Sequence, residues 1–157
     1  MKTKVIFGVL ILAVLCIGFI LFWPLSFTDS GSNEDHIQVI YTDLRTENGV
    51  SKNTATSYSF IPGSIGYTQM QQILSKYSFH RSFGTFFHSN VSVDDGNVPG
   101  YWIQIYLAKK TIMCGRASDI VVNGKIYRIG YWGNGVALTM MDEIQNVLDS
   151  SIPDKIN

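Results

Sequence analysis

Hydrophobic and polar positions divide this chain into an unbroken apolar run and a longer stretch of alternating patterns. From Val5 to Trp23 there are about 19 residues without a charge. As a helix, at about 1.5 Å per residue, such a run extends roughly 28 Å, close to the thickness of a bilayer's hydrocarbon layer. Lys2 and Lys4 precede it, and Asp29, Glu34 and Asp35 follow it. That asymmetry favours a cytoplasmic N-terminus. Cys16 follows Leu15 and lies inside the run, so it reads as a helix residue rather than a lipid attachment point. No A-x-A-like cleavage site follows; Thr28-Asp-Ser30 is the nearest approach to one. The expected organisation is an uncleaved membrane anchor over 1–26, a polar tether over 27–35 and an extracytoplasmic domain over 36–157. The expected location is a single-pass arrangement in the cell membrane, N-terminus inside and domain outside. Cleavage and secretion is the alternative.

Beyond the tether the period changes repeatedly. Residues 37–44 and 54–60 read as strands, the second with Thr54, Thr56, Tyr58 and Phe60 on one side. Met70, Ile73, Leu74 and Tyr77 follow the spacing of one helix face, with Thr68 and Gln71 at capping-box spacing before it. Residues 81–93 read as an extended segment broken at Gly84. Residues 101–108 alternate, with Tyr101, Ile103, Ile105 and Leu107 opposed to Trp102, Gln104, Tyr106 and Ala108. Asn123-Gly124 between two β-branched runs signals a hairpin with a type I′ turn. Its register pairs Val122 with Lys125, Val121 with Ile126, Ile120 with Tyr127 and Asp119 with Arg128. Met140, Ile144, Val147 and Leu148 mark a last helix, capped by Thr139. The expected fold is α+β: an N-terminal transmembrane helix, then a mostly antiparallel sheet of about five to six strands with two helices on one face.

The run 119–132 leading into 140–148, with the earlier helix 70–77 and the strand 101–107, resembles small extracytoplasmic domains of unknown function. Those domains sit on membrane-anchored or lipoprotein-like proteins of Gram-positive bacteria. The resemblance implies a location and a fold, and no site residues.

Charge narrows the partners. All 12 acidic residues lie at or beyond Asp29, together with ten of the 12 basic ones, so the outer part carries about −2. No basic run is present, which argues against nucleic acid as a partner. Only Cys114 lies outside the apolar run, so no intramolecular disulfide forms in the outer part. Asn90-Val-Ser92 matches a glycosylation acceptor.

Candidate chemistry is sparse. Cys114 with His36, His80 or His88 would make a nucleophile pair, but Cys114 sits in an apolar strand context. His80 and His88 would lie about 27 Å apart along an unbroken strand, too far to share a metal ion. Asp94-Asp95-Gly96 lacks the alternating carboxylates of a calcium loop and reads as a turn. No hydrolase motif occurs, and Gly130–Gly135 lacks the lysine of a phosphate loop. No catalytic residue, metal ligand or cofactor is assigned. What remains is an aromatic surface, Trp102, Tyr106, Arg128 and Trp132, the residue types that dominate binding hot spots. The expected function is a membrane-tethered, extracytoplasmic interaction or sensing module without catalysis. Its partners would be the membrane, through residues 5–23, and a protein or cell-envelope component. A cell-envelope enzyme using Cys114 with a histidine, and a structural accessory subunit of a membrane complex, are the alternatives.

Overall fold

A computed structural model describes residues 2–28, 36–47, 50–87, 100–115 and 118–152. The elements run in the order α1 (Lys2–Phe22), β1 (Leu25–Ser26), β2 (Ile37–Glu47), β3 (Val50–Phe60), α2 (Ile65–Lys76), β4 (Ser78–Arg81), α3 (Phe83–Phe87), β5 (Gly100–Tyr106), β6 (Thr111–Cys114), β7 (Asp119–Val122), β8 (Lys125–Ile129) and α4 (Gly135–Asp149). The eight strands form one antiparallel sheet in the order β1-β4-β8-β7-β6-β5-β2-β3. The fold is thus α+β, with eight strands and not the five or six expected. The additional strands are short ones: β1 has two residues and β4 and β6 four each, too few to show alternation on their own.

Alternation sorts the two faces. Ile37 and Val39, Ile103 and Ile105, Ile112 and Cys114, Ile120 and Val122, and Phe79 and Ile129 form one continuous buried face. The apolar sides of α2 and α4 cover it, through Met70, Leu74, Met140, Met141, Ile144 and Leu148. Both helices begin about one turn earlier than their apolar spacing indicates. Ser64 caps α2, its hydroxyl accepting from the Tyr67 N–H at 3.1 Å. Asn134 occupies the N-cap of α4. Thr68 and Thr139 are therefore interior, their hydroxyls donating to Ser64 O and Gly135 O. Gly66 explains the tight seat of α2: a Cβ there would lie 2.6 Å from the Phe60 ring.

The opposite face is also partly covered. The extended segment expected over 81–93 is replaced by β4 and the single turn α3; residues 88–93 lie outside the described part. Thr85 of α3 donates its hydroxyl hydrogen to Ile126 O, and Gly84 lies against the Ile126 side chain. The hairpin β7–β8 has the register expected of a two-residue turn, with Asn123 at φ 50° and Gly124 at φ 76°. Only these two positions need the left-handed region there, and Asn and Gly are the residues that enter it at least cost.

The N-terminal segment requires correction. Among the described residues no helix is long and apolar enough to cross a membrane. The transmembrane helix and the single-pass placement with an outside domain are thereby overturned. Leu25 and Ser26 pair with Phe79 and Ser78, and Phe27 is buried, its ring 4.8 Å from that of Phe79. Residues 29–35 lie outside the described part.

Candidate functional site

Of the four aromatic and basic residues singled out from sequence, Trp102, Tyr106 and Arg128 share a side of the sheet, and the four do not form one patch. Trp102 and Tyr106 stand half-buried on β5, beside Gln104, whose amide oxygen accepts from the Tyr106 hydroxyl at 3.0 Å. Arg128 is on β8, three strands away, or about 14 Å at the usual strand spacing. Its guanidinium lies 3.5 Å from Asp119 and donates to the Ser118 hydroxyl at 3.1 Å. Trp132 is off the sheet altogether, in the turn before α4, and 91 % exposed.

The cysteine–histidine pairing is also undone by the two faces. Cys114 is 1 % exposed on the helix-covered face, and burial pushes its thiol up to about 12. The thiolate that a nucleophile requires is therefore disfavoured. His80 is on the other face, opposite Arg128 across the ladder, with β7 and β8 between it and β6. Its Nδ1 is 3.0 Å from Arg81 O and its Nε2 3.0 Å from Gly130 O, so both ring nitrogens face backbone carbonyls, and a neutral ring donates to one of them. His36 is exposed. His88, Asn90–Ser92 and Asp94-Asp95-Gly96 lie outside the described residues, and the remaining described residues hold no group of three metal-ligating side chains.

A different site emerges on the core side of the sheet. A cavity of about 610 Å³ opens beyond the footprint of α2 and α4, at the β1-β4-β8-β7 end. Its walls are Leu25, Phe79, Val122 and Tyr127, with the Phe79 and Tyr127 rings packed edge to face at 5.0 Å. Arg81, Lys110 and Lys125 ring these apolar walls, and none of the described lining residues is acidic. Each cation comes from a different element. Arg81 stands opposite Tyr127 across β4 and β8, Lys125 lies two residues along β8 on the same face, and Lys110 arrives from the turn between β5 and β6. The Lys110 ammonium donates to Ser26 O at 3.2 Å, which places it at the β1 side of the opening.

Asn123 fixes the rim. Its amide oxygen accepts from the Thr111 N–H at 2.8 Å, its amide nitrogen donates to Lys109 O at 3.3 Å, and its own N–H donates to Thr111 O at 2.9 Å. The tip of one hairpin is thereby bolted to the turn that carries Lys110. Sequence reading found this hairpin but not the cavity. Its residues are scattered from Leu25 to Tyr127 and meet only because β4 and β1 add to the β8 edge.

Comparison with protein-family models, curated proteins and solved structures finds no match to the chain.

Proposed function

We propose that the chain is a binding module without catalysis, and that the cavity between β1, β4, β7 and β8 is its ligand site. The observation that carries this reading is the cavity itself: an opening of about 610 Å³ in which apolar walls are ringed by polar side chains. Ligand sites combine those two features, apolar area for affinity and a few fixed polar groups for orientation. The two open-sheet aromatics, Trp102 and Tyr106, stand outside it and have no part in this reading. Neither has Cys114, whose buried thiol is unsuited to attack.

The test is a fragment titration of the full chain followed by amide NMR spectra, using small aromatic alcohols, amines and carboxylates. Shifts concentrated on the amides of Ser26, Lys110, Asn123 and Lys125 are expected. Shifts confined to β5 and its neighbours, or absent, overturn the assignment.

A further inference from the structure

The structure assigns the cavity a ligand class: an organic oxyanion, with a phosphate or carboxylate head on a flat apolar body. This rests on the proposal that the cavity is a ligand site, and adds what the site selects. Arg81 and Lys125 bring two cations to the apolar walls, and none of the described lining residues is acidic.

The lining cations come from three separate elements of the chain. Arg81 and Lys125 are diagonal neighbours on one sheet face, flanking Tyr127. Lys110 closes from another direction, its ammonium fixed by Ser26 O and its turn by Asn123. Arg supplies a planar fork that matches an oxyanion, and lysine supplies point charge. The body of the ligand is set by the walls. Phe79 and Tyr127 present an edge-to-face pair, and Leu25 and Val122 complete an apolar lining that fits a ring or a short acyl chain. Asn123, with its amide already bonded on both sides, shapes the rim rather than reading the ligand.

The probes are phenyl phosphate, inorganic phosphate and benzyl alcohol, titrated into the full chain by calorimetry and NMR. Phenyl phosphate should bind at least about tenfold more tightly than either of the others, and added salt should weaken it. Lys125→Gln, at an exposed position, and Arg81→Gln should each weaken phenyl phosphate by about tenfold, the worth of one charged hydrogen bond, while benzyl alcohol is unaffected. Benzyl alcohol binding as tightly as phenyl phosphate would overturn the anion assignment and leave the ligand site standing. Inorganic phosphate binding as tightly would overturn the apolar body. Unchanged affinity for phenyl phosphate in both variants would overturn the role of the cations. If no probe moves a cavity resonance, the ligand site itself falls.

Discussion

His80 and Tyr131 stack with ring centroids 4.7 Å apart and planes within 6° of each other. Phe22, at the end of α1, leans on both rings, at 5.9 Å and 6.0 Å. The Tyr131 hydroxyl donates to Phe22 O at 3.1 Å. One buried histidine thus joins the end of α1, the sheet edge and the segment leading to α4. Replacing it removes two buried contacts to carbonyl oxygens. His80→Ala should cost about 1–3 kcal/mol of stability, read by denaturant unfolding. Tyr131→Phe should keep the fold and raise hydrogen exchange at the α1–β1 junction. An unchanged exchange pattern there would show that the hydroxyl does not hold the helix end.

Two glycines give opposite expectations. Gly66→Ala places a methyl 2.6 Å from the Phe60 ring and should destabilise by about 1–3 kcal/mol. Gly135→Ala meets nothing within 4 Å, at the first position of α4, and should stabilise by about 0.4–1 kcal/mol. Thermal melts of the two variants should shift in opposite directions. A shared direction would mean that the seat of α2 on β3 is looser than this contact implies.

Cys114 should be silent. With Cys16, which is exposed, replaced by serine, the native chain should resist a thiol reagent at pH 8 and react once unfolded. The sign of its pH effect follows from burial. The folded chain keeps the thiol proton up to about 12, whereas an unfolded thiol loses it near 9. Its contribution is fully present below about 9 and is lost as pH rises toward 12. Rapid labelling of the folded variant at pH 8 would contradict this.

Lys76 and Glu143 join α2 to α4 by an ion pair. The hydrogen bond from Lys76 holds the Glu143 carboxyl below its usual range, and the same bond raises Lys76. A depressed carboxylate stabilises above its unfolded pKa and ceases to do so as pH falls through its folded one. Glu143→Gln should therefore lower the melting temperature slightly at pH 7 and by less at pH 3. Lys76 is more than half exposed, so the effect should also shrink in salt. A gap that widens in acid would contradict the pairing.

The long, strongly patterned elements were legible in the sequence. The face Met70, Ile73, Leu74 and Tyr77 is buried, and the Asn123-Gly124 turn sets the expected register. The Asp119–Arg128 pair read from that register is present. Both helices start earlier than the apolar spacing indicates, and Gly66 and Gly135, each inside a helix, carry no side chain to mark a face. A second Asn-Gly, at 48–49, separates β2 from β3, and their register runs to Glu47 opposite Val50. The paired strands are longer than alternation alone suggested, because the polar run Ser51–Asn53 masks the strand. The cavity was not legible. Arg81, Lys110 and Lys125 look like ordinary surface charges until β4 is placed beside β8.

The sheet's two outer strands are very unequal. β1 offers two residues of backbone, whereas β3 offers eleven, paired on one side to β2. Any additional strand has a template on one flank and almost none on the other, so extension of this sheet is directional. The exposed residues Lys52, Asn53 and Thr54 of β3 are polar, with a lysine first. Such composition discourages indiscriminate pairing at an open margin. Where β1 limits further pairing on the cavity side by its brevity, β3 limits it on the far side by its polar composition.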